Sequence, residues 1–327
     1  MTETPLLSVR NLTTEFHQPD GKVARALEDV SFDVLPGQTI GLVGESGCGK
    51  TTTLMTIMRL LPATGRITAG RLLFKGTDLL TLSERQMRSY RWKEMAIVFQ
   101  GAMNALNPVM KVGDQIREGI TLHGLMDRDP AEKRVGELLE MVGIPRSRRD
   151  QYPHQYSGGM RQRAMIAMAL ACSPDLLFAD EPTTALDVMI QAQVLELLKD
   201  IQKSLGLAVV MVTHDLGVVA EVCDSVVVMY GGKVAEYGTA DAIYNQPQHP
   251  YTQRLLASFP DLNQPSDSLA SIPGTPPRLT DLPTGCRFHP RCHARIDVCA
   301  TLTPPMIETS AGHYSACHLS KGVEAKF

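Results

Sequence analysis

The sequence holds no run long and apolar enough to cross a bilayer, which takes about 20 residues as a helix; its apolar stretches, such as residues 207–212, are far shorter. Residues 1–10 lack a basic segment followed by an apolar one, so no secretory leader is read there, and a cytoplasmic chain is expected unless a partner tethers it. Charge of one sign is lacking too. Lysine and arginine number 32 against 35 aspartates and glutamates, a formal −3, which gives no global attraction to nucleic acid or anionic lipid. No sustained heptad pattern divides the chain, and no Cys-x-x-Cys pair occurs among the seven cysteines. Without a leader, those cysteines are expected to be reduced thiols or metal ligands rather than disulfides.

What is present is ordinary core material, 43% hydrophobic over 327 residues, enough for one large domain with an appendage or for two smaller ones. Short apolar alternation predicts strands over residues 6–12 and 30–35, and residues 39–43 read as a compact buried strand running into a glycine-rich loop. A helix is expected over residues 51–61, ended by Pro62. After a further strand over residues 94–99, helical periodicity with charged faces at 112–124 and 131–142 predicts an inserted helical subdomain spanning about residues 101–172, with a helix over 160–171 returning the chain to β structure. Residues 176–179 and 208–212 read as buried strands, and residues 225–229 and 233–237 flank Gly231-Gly232 as a hairpin. Past about residue 262, proline, serine and glycine become frequent and periodicity fades, so a boundary is expected between residues 1–261 and 262–327. The fold class is α/β.

Chemistry concentrates in a few segments. Gly44-Glu45-Ser46-Gly47-Cys48-Gly49-Lys50-Thr51 fits the phosphate-cradling pattern, in which glycines let backbone N–H groups turn toward a phosphate at the start of a helix. Lys50 is expected to reach the β- and γ-phosphates, and the Thr51 hydroxyl to face Mg²⁺ with Thr52 beside it. Cys48, inside the loop, reads as a bystander open to alkylation. The apolar run of residues 176–179 ends in Asp180 and Glu181, two carboxylates delivered at one strand end. Such an end is common by itself and draws its meaning from the loop before it.

The run Tyr156-Ser157-Gly158-Gly159-Met160-Arg161-Gln162 resembles the signature loop of ABC (ATP-binding cassette) ATPases, and the phosphate loop followed by this signature is their order. Tyr156 and Met160 depart from the usual leucine and glutamine, but neither is expected to touch phosphate. The resemblance implies an ATP-hydrolysing α/β core with an antiparallel β part and an inserted helical subdomain. In it Ser157, Gly158 and Gly159 face the γ-phosphate held by a partner subunit. Asp180 looks like the carboxylate holding Mg²⁺ through water and Glu181 like the general base. Gln100 resembles the glutamine that touches Mg²⁺ and the water, Asp187 closes a loop crossing to the partner, and His214 matches the histidine that meets the γ-phosphate. Phe16 is the candidate to stack on adenine, with Gly44, Ser46, Gly47, Cys48 and Gly49 lining the phosphates. Residues 103–110 are where a membrane subunit's coupling helix is expected to dock.

The stretch Gln248-His249-Pro250-Tyr251-Thr252-Gln253 and the cysteine-bearing tail are similar to ATP-binding subunits of dipeptide and oligopeptide ABC importers. That implies a peripheral protein on the cytoplasmic face of the membrane, paired with a second homologous ATPase, two transmembrane permease subunits and an extracytoplasmic substrate-binding protein. Related importers carry nickel or oligosaccharides, which is the alternative cargo; a non-transport ATPase is the more distant one. A chromosome-type ABC protein would need a long coiled coil, a translation-associated one two cassettes, and an exporter half fused membrane helices. Cys286, Cys292, Cys299 and Cys317 are separated by five, six and seventeen residues, a spacing that chooses no metal by itself. The resemblance implies a [4Fe–4S] cluster on these four thiolates. Zn²⁺, with His289 or His318 as substitute ligands, and unmetallated thiols stay open.

Overall fold

A computed structural model describes residues 4–101, 105–184, 186–258 and 272–325. The chain opens with strands β1 (Leu7–His17), β2 (Val23–Val34) and β3 (Thr39–Val43), helix α1 (Lys50–Ile57), and strands β4 (Gly65–Phe74) and β5 (Thr77–Asp78). Helix α2 (Glu84–Tyr90), strand β6 (Met95–Val98) and helices α3 (Val112–Leu122), α4 (Arg128–Met141) and α5 (Gly158–Ala169) follow. Strand β7 (Leu176–Asp180), helix α6 (Val188–Leu205), strand β8 (Ala208–Val212), helix α7 (Leu216–Val222) and strands β9 (Ser225–Tyr230) and β10 (Lys233–Thr239) come next. The end is formed by helices α8 (Ala240–Asn245) and α9 (Pro250–Ala257) and the short strands β11 (Ile307–Ser310), β12 (His313–Ser315) and β13 (Val323–Glu324). No helix among the described residues is long and apolar enough to cross a membrane.

Two compact units divide the chain. The first takes residues 1–34, 40–80 and 213–327. It holds an antiparallel sheet in the order β2-β1-β4-β5, and a run of strands β13-β11-β12-β10-β9-β3 in which β3 pairs parallel with β9, Leu42 opposite Val227. Strand β3, Thr-Ile-Gly-Leu-Val, is buried along its whole length, as its continuous apolar run requires. Gly231 and Gly232 turn the β9–β10 hairpin with both φ angles positive, 53° and 83°, which the residue type permits at no steric cost. The tail is more ordered than its fading periodicity suggests. Strand β12 pairs with β10, Glu236 opposite Ser315, and Phe288 enters the core made by Val43, Tyr230, Tyr251 and Leu255. The expected boundary at residues 261 and 262 lies outside the described residues.

The second unit takes residues 35–39 and 81–212. Strands β8, β7 and β6 lie parallel in that order, Phe178 opposite Val210 and Ile97, and β7 is buried throughout. Helix α3 packs Val112, Ile116 and Ile120 inward at four-residue spacing, and the absence of a side chain at Gly119 admits the Trp92 ring, whose Cε2 would stand 2.7 Å from a Cβ there. Helix α6 escapes the sequence reading, although Val194, Leu195, Leu198 and Ile201 form its buried stripe, Asp187 caps its start and Gly206 in the left-handed region ends it. Strand β4 of the first unit escapes it too. Most of β4 is exposed or half-exposed, so no apolar alternation marks it.

Candidate nucleotide-binding site

In the first unit, strand β3 delivers the glycine-rich loop to the N-terminus of α1. Gly44 stands at φ 144°, where a Cβ would lie 2.2 Å from the Met229 carbonyl, and Gly49 at φ 108°, where one would lie 2.8 Å from the Ala26 carbonyl. These two positions therefore exclude any side chain. Gly49 caps α1 with no side-chain hydrogen bond and no acidic residue occupies the first turn, which leaves the N–H end of that helix to an anion. Lys50 is buried, and its ammonium donates to Gly44 O at 2.6 Å and Glu45 O at 3.1 Å, curled over the loop's own carbonyls. Gly232 N–H donates to Cys48 O at 2.9 Å, so the β9–β10 hairpin braces the loop from behind.

Further candidates belong to the first unit. Phe16, half-buried at the end of β1, lies opposite Gly65 of β4 and covers it with its ring edge. Thr213 N–H donates to Leu42 O, which brings the exposed His214 to the end of β3 that enters the loop. Thr51 is exposed and Thr52 half-exposed on the first turn of α1. Cys48 corrects its expectation: it is buried, and desolvation raises its thiol pKa despite nearby Lys50, so it is a poor target for alkylation.

In the second unit, β7 carries Asp180, buried at its C-terminal end, into Glu181. Glu181 is a non-glycine residue at φ 46°, a conformation that costs energy and is held by its N–H donating to Val212 O at 2.9 Å. Its carboxylate accepts from Gln100 Nε2 at 2.7 Å and from Thr184 Oγ1 at 2.8 Å. Ser157 caps α5, accepting from Met160 N–H at 3.2 Å, and thus presents Gly158 and Gly159 as that helix's first turn. Gly159 is pressed on Ile190, whose Cγ2 would stand 2.8 Å from a Cβ. Asp187 is the cap of α6, accepting from Ile190 N–H at 3.0 Å. Ala185, in the loop before it, lies outside the described residues, as do Met103 and Asn104 of the expected docking segment.

Residues 27–184 match the ABC transporter family, and residues 235–299 match the oligopeptide/dipeptide transporter C-terminal region. The dipeptide transport ATP-binding protein DppD of Bacillus subtilis is 51% identical over 317 residues, 96% of this chain and 94% of that protein. The chain belongs to the dipeptide/oligopeptide family of ABC transporter ATP-binding subunits. The oligopeptide transport ATP-binding protein OppD of Escherichia coli is 45% identical over 314 residues, 95% of this chain and 92% of that one. Among solved structures, the dimeric ATP-binding cassette MJ0796 in a post-hydrolysis state bound to ADP and Pi superposes with TM-score 0.64 at 27% identity, covering 72% of this chain and 98% of that one. The cassette cbiO1 of Clostridium perfringens gives 0.64 at 29% identity, covering 75% and 92%. As a member of this ABC family the protein is an ATPase with the mixed α/β cassette fold.

The tail adds what the motifs omit. The Cys286 thiol feels the charges of Cys299, Cys317 and Cys292, Cys317 feels those of Cys292 and Cys299, and burial pushes the Cys286 thiol up to about 11. Cys286 N–H donates to Cys299 O at 2.9 Å. Among the described residues, however, no group of three or more His, Cys, Asp or Glu side chains is arranged to hold a metal ion. The expected substitute ligands are engaged with the backbone, His289 Nδ1 with Cys286 O at 2.9 Å and His318 Nε2 with Leu302 O at 2.8 Å. Arg291, braced by Tyr230, and Tyr251 also converge on Glu45 of the glycine-rich loop, a contact that no local sequence signal announces.

Proposed function

We propose that this chain is the ATP-hydrolysing subunit of a dipeptide or oligopeptide importer, bound to the cytoplasmic face of the membrane. The observation that carries the reading is identity near 50% to a dipeptide transport subunit along almost the whole chain, tail included. Two transmembrane permease subunits, a second homologous ATPase and an extracytoplasmic substrate-binding protein are the implied partners. Residues 1–261 form the cassette in this reading, and residues 262–327 an importer-type extension.

The roles follow residue by residue. The backbone of Gly44, Ser46, Gly47, Cys48 and Gly49 and the Lys50 ammonium take the phosphates, with the Thr51 and Thr52 hydroxyls on the first turn of the helix and Phe16 against adenine. Mg²⁺, when bound, neutralises charge on the β- and γ-phosphates, and Thr51, Asp180 and Gln100 are the residues to hold it or its waters. Glu181 polarises the attacking water and His214 meets the γ-phosphate. Ser157, Gly158, Gly159 and Asp187 serve the nucleotide of the partner ATPase, supported by the helix N-terminus that Ser157 caps.

For the tail we carry the [4Fe–4S] reading on Cys286, Cys292, Cys299 and Cys317. Its support is the convergence of four soft thiols around a segment with little core of its own. The thiols as arranged do not preform a site for a single ion, and both histidines suggested as zinc ligands are turned to carbonyls, so Zn²⁺ is the weaker fit. The experiment that tests the whole is co-purification from the membrane. Recovery with two multi-spanning subunits, and ATPase activity raised by a peptide-loaded binding protein, is expected. A protein that purifies with neither, or whose activity ignores peptide, is not this importer subunit.

A further inference from the structure

Glu45 is held at three points, all within the first unit. Its carboxylate takes a two-pronged contact from Arg291, Nη1 to Oε2 at 2.6 Å and Nη2 to Oε1 at 3.0 Å. Its N–H donates to the Tyr251 hydroxyl at 2.8 Å, and its carbonyl accepts from Lys50 Nζ at 3.1 Å. Arg291 in turn is fixed from several sides: Nε donates to Pro273 O at 2.7 Å, Nη1 to the Tyr230 hydroxyl at 3.3 Å, and its guanidinium lies 5.8 Å from the Tyr230 ring centre. Only 7% of the Arg291 side chain is exposed, against 23% of that of Glu45. An ion pair this enclosed is screened far less than a surface pair, and its fork geometry fixes direction as well as distance.

The clamp sits on a rigid base. Phe288, three residues before Arg291, is buried against Tyr230 and Tyr251 with ring centres 5.1 and 5.3 Å apart. Arg291 directly precedes Cys292, so the tail's cysteine segment and the phosphate loop meet in one side chain.

We propose that Arg291 is a positioning residue for the nucleotide site: it draws the Glu45 carboxylate out of the loop's concave side and cancels its charge, so that the loop receives a triphosphate without a carboxylate opposing it. A free carboxylate in a phosphate-binding loop repels the ligand, while one locked to a guanidinium becomes part of the loop's frame. The tail is thus a component of the ATP site, and whatever reshapes the Cys286 to Cys292 segment is transmitted to ATP affinity through Glu45. The inference rests on the nucleotide reading of that loop.

The test is Mg-ATP binding to the full chain by titration calorimetry. Arg291→Gln should raise the Kd about tenfold, and adding Glu45→Gln to it should restore affinity to within about threefold of the parent. A tail that merely folds less well would not be rescued by neutralising Glu45. A Kd for Arg291→Gln within about twofold of the parent, or a double variant no tighter than Arg291→Gln, overturns the clamp. Should Arg291→Gln fail to fold, Glu45→Asp takes its place, since it shortens the acid by one methylene while Arg291 keeps Pro273 and Tyr230. It should bind ATP more weakly than Glu45→Gln, and parental affinity in it overturns the proposal. Lys50→Ala run in parallel separates the two readings: binding lost there but untouched by the clamp variants sinks the clamp alone, whereas binding that survives Lys50→Ala sinks the nucleotide site and the clamp with it.

Discussion

Gln100 donates to the Glu181 carboxylate at 2.7 Å across 81 residues of sequence, and Thr184 donates to the same oxygen at 2.8 Å. A general base needs a free lone pair aimed at water, and here one oxygen of the carboxylate is occupied twice. Under the proposed general-base reading, Gln100 and Thr184 orient the Glu181 carboxylate through that one oxygen. The left-handed backbone at Glu181 is pinned by its N–H donating to Val212 O.

Replacing Glu181 with Gln keeps the size and both contacts in reach but removes the base. Turnover in the assembled transporter should fall by about 10²–10⁴, roughly 3–5 kcal/mol of barrier, with ATP binding within about threefold of the parent. Single-turnover hydrolysis and equilibrium binding measured together check this. A loss of less than tenfold in turnover would remove Glu181 from the role.

Ser157 caps α5 and faces solvent, and the proposed reading gives it the nucleotide of the partner ATPase. Ser157→Arg should abolish most ATPase activity of the assembled complex and leave Mg-ATP affinity of the isolated chain unchanged. The parent chain alone should be a poor ATPase, with activity rising steeply on addition of the second ATPase and the permeases. Full turnover by a strictly monomeric preparation would contradict the division of labour.

The parts of the candidate site legible in the sequence are those built from contiguous residues. The phosphate loop needs a buried strand, glycines and a helix start, and residues 39–57 supply all three in order. Asp180 and Glu181 were readable because a fully apolar strand fixes where its end emerges. Helix α6 is equally legible in the sequence, with its Asp187 cap, Gly206 stop and buried stripe. Strand β4 is not, since its exposed residues and two glycines mimic a loop, and its place comes from pairing with β1. The contact of Arg291 with Glu45, 246 residues away, has no local signature at all. Nor does β12, three residues whose strand character comes from the β10 edge that it covers.

Stability should fall with acid through His249. Burial is the main cause that lowers its pKa from 6.5 to about 4, opposed by Glu236 and by a hydrogen bond to the Ala316 backbone. Its Nδ1 accepts from Tyr251 N–H at 2.9 Å as the cap of α9, a role for the neutral ring. The unfolded chain binds this proton below about pH 6.5 and the folded one does not, so the contribution is complete above that pH and lost as pH drops toward about 4, at most about 3 kcal/mol. His249→Asn retains a capping oxygen and does not titrate. Urea unfolding of the two proteins should give a flatter pH profile for the variant over that window, and parallel profiles would assign the acid sensitivity elsewhere.

If Cys286, Cys292, Cys299 and Cys317 carry an iron–sulfur cluster, protein made without oxygen should be brown and hold about four irons per chain, and serine at any one of the four should bleach it. Cys48, Cys172 and Cys223 should be dispensable for colour, being buried thiols outside the tail whose pKa burial raises. Because the cysteine segment is joined to the loop through Arg291, loss of the cluster is expected to weaken ATP binding by a few-fold rather than to spare it. ATP affinity of anaerobic protein before and after iron chelation, with iron counted alongside, measures this directly. Stoichiometric zinc without iron would replace the cluster with another metal, and metal-free protein with parental thermal stability and ATP affinity would reduce the four thiols to packing residues.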